Sequence, residues 1–559
     1  MAQSDVRGGS TRREPGGGLA QDERPGTAAS AAGGGAEGGG GQGRRRGRPR
    51  GGGRRMVRWF AIVLSVLILG TAGAGYLYYR HLNGNIDKGK RNSGESDVTK
   101  TGPNAAGQTP LNILLIGSDS RNSAENVKLG GSRDNVGSKP LADVQMLLHV
   151  SADRESASVV SIPRDTRVDI PKCVDPDTGE TYPAKNTIIN ETLQRGGPGC
   201  TLATWQNLTG VYIDHWMMVD FAGVVDMADA VGGVPVCVNQ NVWDRPLSGQ
   251  RGGSGLKLKA GTHKVQGKEA LQWLRTRHAW GSDPLRAKAQ HMYMNAMIRT
   301  LKEQNVFTDT GRLMGLAEAG TKALTVSEEI GTVKELYDVG MQLKSVPTNR
   351  ITMTTMPWIE DPLNRNHLVP KPEDADKMWA MLRDDVSFDK AGKARAATAS
   401  GPSPASSPPP ASVKAAGPAA APAAGLSVTV VNGTASDQRA AVPQRAAAIV
   451  AALQQEGFAQ AVASGRQEPH TRTQVTYPKS TGEQGRANAL SVAKAVGIPG
   501  SQVRATDDVT TTLTIGSDWR EGTAYPKQKA PEAGDLPDSA DALSADKTEC
   551  MDVYKPYQW

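Results

Sequence analysis

Asp119 and Arg121 follow the apolar run 111–116, Asp143 opens the run 144–150, and Arg164 and Asp165 close the run 158–162. Arg275, Arg277, Arg286 and Gln290 stand further along. Arginines carry planar forks of donors that grip phosphate oxygens two at a time. Carboxylates beside them can hold a hydrated divalent cation whose shell a phosphate completes. The residue types therefore point to a phosphate-rich ligand with a bound divalent cation. Other chemistries lack their residues: the eight histidines form no H-E-x-x-H, and no G-x-S-x-G occurs, so zinc hydrolysis and serine-hydrolase chemistry have no support. Gly33, Gly35 and Gly38 match G-x-G-x-x-G only because their surroundings are glycine-rich.

These residues need elements to bring them together. The polar turn 151–156 separates residues 144–150 from 157–162, which predicts an antiparallel hairpin. Asp143 is then expected beside Arg164 and Asp165. If residues 111–116 run parallel to the second of these strands, Asp119 and Arg121 reach the same edge, where open α/β sheets bind ligands. Arg275 and Arg277 are two apart and would share one face of a strand. Asp283-Pro284 reads as a helix N-cap and its first residue rather than as a metal ligand. In the helix beyond, Arg286 and Gln290 share a face, and Leu285, Ala289, Met292 and Ala296 lie at core spacing. Asp165 either serves the site or satisfies local backbone donors and orients Arg164. Arg154, Arg195 and Arg251 read as solvated surface residues.

With 559 residues, the chain exceeds what one core can hold. Its net charge of +8 is uneven, with eight arginines between residues 44 and 58. Residues 1–58 form a basic, glycine-rich cytoplasmic tail with too little apolar surface to fold. Residues 59–79 carry no charge and, at roughly 20 residues, are long enough to cross a bilayer. Aromatic residues flank them and the arginines precede them, so the remainder is expected outside the membrane. A cleaved signal peptide fits less well, because the basic region is long and the apolar stretch exceeds a usual signal core. After a spacer (80–108) comes an α/β domain (109–388), a mixed β-sheet flanked by helices. A Pro/Ala-rich linker (389–425) leads to a small α+β domain (426–520) of βαββαβ pattern. An acidic, proline-containing tail (521–559) is expected to be mobile. No C-x-x-C pair occurs among the four cysteines; in an oxidising exterior, Cys173 and Cys200 could close a loop.

In order along the chain, ILLIGSDSR (113–121), ADVQMLLHV (142–150), SIPRDTRVDIP (161–171), LTGVYIDHWMMVDF (208–221), DAVGGVPV (229–236), ALQWLRTRH (270–278) and the D-x-x-R-x-x-x-Q run from Asp283 resemble the LytR-CpsA-Psr family. The smaller domain resembles the C-terminal domain often appended to that family in actinobacteria. The resemblance implies a membrane-anchored phosphotransferase that moves a glycopolymer, such as a teichoic acid, from a polyprenyl diphosphate carrier onto peptidoglycan. It implies Mg²⁺ on Asp119 and Asp143, and a diphosphate-binding set of Arg121, Arg164, Arg275, Arg277, Arg286 and Gln290. Of these, Arg164, Arg275 and Arg277, with Asp143, are the expected catalytic residues; diphosphate hydrolysis is a conceivable side reaction. The partners implied are the lipid-linked polymer, peptidoglycan and the membrane, with no nucleic acid.

The chain departs from the family pattern at Leu141 and Ala289, where arginine is common, and at Ile188, where lysine is common. Lys185 and Lys288 are the cations that could compensate. The runs 216–219, 221–225 and 292–297 could wall an apolar tunnel for the lipid or be ordinary core. Two other readings stand beside the enzyme: a non-catalytic envelope-binding protein, and a membrane-linked transcriptional regulator.

Overall fold

The computed structural model describes residues 52–104, 106–120, 126, 128–129, 139–250, 252–304, 309–391, 418–435, 439–470, 472–526 and 531–559. Arg121, Arg251, the basic tail as far as residue 51 and most of the proline-rich linker lie outside the described residues. The chain separates into two compact units, Met1–Thr71 and Ala72–Trp559. Helix α1 (Gly52–Asn85) contains a stretch, Arg55–Asn85, long and apolar enough to cross a membrane. Its side chains from Trp59 to Leu69 are largely exposed, as a lipid-facing surface requires.

An eight-stranded mixed sheet is the centre of the large domain. Its strands, in chain order, are β1 (Asp87–Gly89), β2 (Leu111–Ser118), β3 (Ala142–Val150), β4 (Ala157–Ser161), β5 (His215–Val219), β6 (Leu324–Ser327), β7 (Ile351–Thr355) and a last strand at Leu543–Ser544. The spatial order is β1-β6-β5-β2-β3-β4-β7 and then the last strand. The expected hairpin is present: β3 pairs antiparallel with β4, from Met146 opposite Ser161 to Val150 opposite Ala157. β2 pairs antiparallel with β3, and so runs in the direction of β4. Period-two alternation splits the sheet between two cores. Leu114, Ile116 and Leu147 face a cluster with Trp205 and Trp379, while Ile113, Met146 and Leu148 face one with Val159 and Met353.

Helix α2 (Thr192–Thr209) carries Trp205 into the first core. Its start is tied to Cys173 by the Cys173–Cys200 disulfide, the pairing considered from the sequence. Gly196 and Gly199 are required there, because an added Cβ would meet Cys173, Cys200 or Ser93 at 3.0 Å or less. Helices α3 (Phe221–Ala230), α4 (Gly267–Arg275) and α5 (Asp283–Glu303) follow. Ala289, Met292 and Ala296 of α5 are buried as expected, but Leu285 is 40% exposed, because it lies in the first turn, ahead of the packed face.

The small domain has five strands, β8 (Val428–Asn432), β9 (Ala461–Gln467), β10 (Gln474–Pro478), β11 (Val503–Thr506) and β12 (Thr511–Ile515). Their spatial order is β9-β8-β12-β10-β11, around helices at Arg445–Gln455 and Gly482–Ala495. The last expected strand is thus a pair.

The reading of residues 521–559 as a mobile tail is corrected for its described parts: Tyr525 is buried in the core of the small domain, and residues 531–559 return to the large domain. Leu543–Ser544, here β13, pairs antiparallel with Thr352–Met353 at the edge of the main sheet. Cys550 is disulfide-bonded to Cys237, 313 residues away. Met551, Val553 and Tyr557 join a core with Trp273 and Trp280. These apolar residues are too widely spaced to form a periodic pattern, so acids and prolines dominate the local composition.

Candidate functional site

β2, β3 and β4 end together, and the polar residues beyond their ends converge. Asp119 follows β2; its Oδ1 accepts the Leu141 N–H at 2.6 Å, and its own N–H donates to the Leu141 carbonyl at 3.2 Å. Asp143 lies two residues along β3. Its Oδ1 accepts from Arg164 Nη1 at 2.9 Å. Arg164 Nε lies 3.5 Å from Asp165 and 3.7 Å from Asp283. Asp283 binds Arg286 Nη2 at 3.0 Å, and the same nitrogen donates to the Asp143 carbonyl at 3.3 Å. Asp143, Arg164, Asp165, Asp283 and Arg286 are therefore one connected cluster, drawn from two strands and a helix.

The remaining expected residues surround it. Arg277 is close enough to Arg286 to push its pKa down by like-charge repulsion. The Arg275 guanidinium lies 4.7 Å over the Phe221 ring and donates to the Leu129 carbonyl at 3.3 Å. Gln290 Nε2 donates to the Leu274 carbonyl at 3.0 Å, which pins the end of α4 to α5. Two local expectations change. Arg275 ends helix α4, and Thr276 turns the chain out of it, so the arginines lie on a helix end and a turn rather than on a strand. The cap of α5 is Ser282, whose side chain accepts from Leu285 N–H; Asp283 and Pro284 fall in the first turn. Freed from capping, Asp283 bridges two arginines.

Burial lowers the Arg286 pKa, with Asp283 opposing. For Arg164, burial acts in the same direction, but Asp143, Asp165 and Asp283 outweigh it and the pKa rises. Both groups remain cations at neutral pH. The Nε–H donors of Arg164 and Arg286 are buried and make no hydrogen bond, although Arg164 Nε keeps the Asp165 and Asp283 carboxylates as ion-pair partners. Buried charged donors are costly to leave unmatched, so the cluster has unused capacity for an anion.

Two positioning residues escaped the sequence reading. Gln145 Nε2 donates to the Ile189 carbonyl at 3.1 Å, and its Oε1 accepts from Trp205 Nε1 at 2.7 Å. Ile189 N–H then binds the Thr166 carbonyl and Asn190 N–H the Arg164 carbonyl, which holds the Arg164 loop. A glutamine within the apolar strand ADVQMLLHV was the available signal. Asn190 is also buried, and its Oδ1 has no hydrogen-bond partner.

The candidate compensating lysines are engaged elsewhere. Lys185 pairs with Glu191 at 2.9 Å, and Lys288 with Asp541 at 3.2 Å. Ala289 is fully buried, with its carbonyl accepting from Trp273, so α5 has no room for arginine there. Among the described residues no group of three His, Cys, Asp or Glu side chains could hold a metal. Two carboxylates at one strand edge do fit a hydrated Mg²⁺ that takes its other ligands from phosphate and water.

The model of the LytR_cpsA_psr family matches residues 76–384, and that of the LytR cell envelope-related transcriptional attenuator matches residues 425–519. The cell wall biosynthesis protein LcpA of Corynebacterium glutamicum is 30% identical over 330 residues, covering 55% of this chain and 60% of LcpA. The probable cell wall biosynthesis protein LcpB of the same organism is 30% identical over 219 residues, covering 39% of this chain and 48% of LcpB. The chain thus spans about half the length of these two curated relatives. The polyisoprenyl-teichoic acid–peptidoglycan teichoic acid transferase TagT of Bacillus subtilis is 26% identical over 308 residues, covering 54% of this chain and 87% of TagT.

Proposed function

The chain belongs to the LytR-CpsA-Psr family, and from that premise we propose that it is a membrane-anchored phosphotransferase that moves a glycopolymer from a polyprenyl diphosphate carrier onto peptidoglycan. The observation that carries the proposal is the arginine–aspartate cluster, with two buried Nε–H donors that make no hydrogen bond. Phosphoryl transfer asks a protein mainly for positioning and charge stabilisation, which this cluster offers. Arg164 and Arg286, with Arg275 and Arg277 beside them, bind the diphosphate oxygens and stabilise charge on the departing polyprenyl phosphate. In the free site, Asp143 and Asp283 hold the guanidiniums in place. Binding of the dianion moves part of the Arg164 hydrogen bonding from Asp143 to phosphate, which leaves Asp143 free to share a cation. Asp119 and Asp143 would hold Mg²⁺; when bound, the ion neutralises and orients the diphosphate. A hydroxyl of the peptidoglycan glycan is the acceptor.

α1 anchors the chain, and the basic residues before it favour an N-terminus in the cytoplasm with both domains outside. That is the side on which a lipid-linked wall precursor and its acceptor meet. The TagT name, which gives a polyisoprenyl-linked donor and a peptidoglycan acceptor for that relative, supports the same reading here.

One observation favours a second reading. Lys185 and Lys288 are both paired with acids, so neither replaces the positive charge missing at Leu141, Ala289 and Ile188, and a binding protein without turnover would show the same deficit. A transfer assay separates the two. Full-length protein in detergent is supplied with a labelled glycan on a polyprenyl diphosphate, Mg²⁺ and peptidoglycan. Label is expected in the wall fraction, reduced about 10²–10³-fold by Arg164→Ala. Donor binding with no label transferred by the unmodified protein would leave the binding protein as the answer.

A further inference from the structure

Arg277 and Asp283 also line a second space. It is a cleft of about 330 Å³ whose other walls include Gln250, Ser282 and Tyr554. Tyr554 belongs to the C-terminal segment, beyond residue 519 where the family match ends. The segment is fixed there by the Cys237–Cys550 disulfide, by a Met551 N–H bond to the Cys237 carbonyl at 2.9 Å and by a Tyr554 N–H bond to the Ala279 carbonyl at 2.8 Å. Tyr557 is stacked on His278 with ring centroids 6.2 Å apart, and its hydroxyl donates to Gln250 Oε1 at 2.8 Å. Tyr554 is different: its side chain makes no hydrogen bond among the described residues, and the residue is 57% exposed, against Gly281.

We propose that this cleft seats a pyranose ring next to the diphosphate, with Tyr554 as the platform for the ring's C–H face. The inference rests on the transferase reading and adds a saccharide subsite to it. The volume is at the small end for ligand sites (~300–1,000 Å³), enough for one sugar unit rather than a polymer. Among the described residues the lining is a guanidinium, an imidazole, a carboxylate, a hydroxyl, an amide and two tyrosine rings. Such a mixture of donors and acceptors suits a ring of hydroxyls, and the aromatic face suits its apolar side. An anion-only site would be lined chiefly by cations, whereas among the described residues Arg277 and His278 share the lining with the Asp283 carboxylate. The sugar has two possible sources, the first residue of the donor polymer or the acceptor glycan, and both present the same chemistry.

The test uses full-length protein in detergent and three ligands: geranylgeranyl diphosphate, the same lipid diphosphate carrying N-acetylglucosamine, and a soluble N-acetylglucosamine tetramer. Tyr554→Ala is expected to weaken one of the two sugar-bearing ligands about tenfold, with Tyr554→Trp restoring it and the melting temperature unchanged. Loss on the lipid-linked sugar assigns the donor, and loss on the tetramer assigns the acceptor. The inference is overturned if the sugar adds nothing to lipid diphosphate binding and the tetramer does not bind, or if Tyr554→Ala alters neither. Failure of the sugar-free lipid diphosphate to bind would instead strike the transferase reading, and Tyr554-dependent tetramer binding would then leave the subsite standing.

Discussion

At the residue scale, the cluster is a set of cations whose own acids keep them ready. Asp143 and Asp283 hold Arg164 and Arg286 at 2.9 and 3.0 Å, yet each arginine retains a buried Nε–H that makes no hydrogen bond. Much of this was legible, since Asp143, Arg164 and Arg286 are charges placed where apolar runs stop. Asp283 was read one position out of register because Asp-Pro imitates a cap, while the adjacent Ser282 performs that role. Gln145 and Asn190 were missed because their work is hydrogen bonding to a distant loop, which no spacing rule reveals. A residue outside the cluster makes a separate prediction. His291 in α5 is 1% exposed, and burial lowers its pKa from 6.5 to about 4. Between those values the unfolded chain takes up a proton that the folded protein refuses. Stability is therefore full above pH 6.5 and falls as the pH drops towards 4, by about 3 kcal/mol from this group. Thermal melts of the wild type and His291→Gln across that range are expected to differ in slope, the variant being the flatter. Parallel slopes would contradict the assignment.

At the element scale, the β3–β4 hairpin sets the site, because antiparallel pairing returns the chain to the edge where β3 began. Two β-rich runs about a short polar turn made that pairing readable. Arg275 and Arg277 were harder: their alternation resembles a strand, but the preceding residues form helix α4, which ends at Arg275. A helix that ends on the first residue of a strand-like pair is a competition that local pattern does not decide. The loop between β4 and α2 depends on the Cys173–Cys200 disulfide. Replacing both cysteines with alanine is expected to cost about 2–4 kcal/mol, read as a lower denaturation midpoint. Because Ile189 and Asn190 lie in that loop and hold the Arg164 segment, diphosphate binding should weaken as well. A lower midpoint with unchanged binding would separate the loop's stability from the site's geometry.

At the scale of the whole molecule, the chain joins a helix long and apolar enough to span a membrane, a mixed-sheet domain and a small α+β domain, and then returns to the large domain. The return was invisible in the sequence. Cys550 finds Cys237 across 313 residues, and β13 covers the open edge of β7. Composition near the C-terminus instead suggests a free tail. An open sheet edge is a template for unwanted pairing, so the return also protects the fold. Cys550→Ser is expected to raise amide hydrogen exchange at Met551 and Tyr554, whose N–H groups bond to Cys237 and Ala279. Protection equal to the wild type would show that packing alone retains the segment.

Calorimetric titration of geranylgeranyl diphosphate into the detergent-solubilised full-length chain, with Mg²⁺ present, most directly tests whether the arginine–aspartate cluster captures a lipid diphosphate. Binding is expected in the wild type, weakening with added salt and falling by about 100-fold or more in Arg164→Ala. No binding by the wild type, or equal binding by Arg164→Ala, would contradict it.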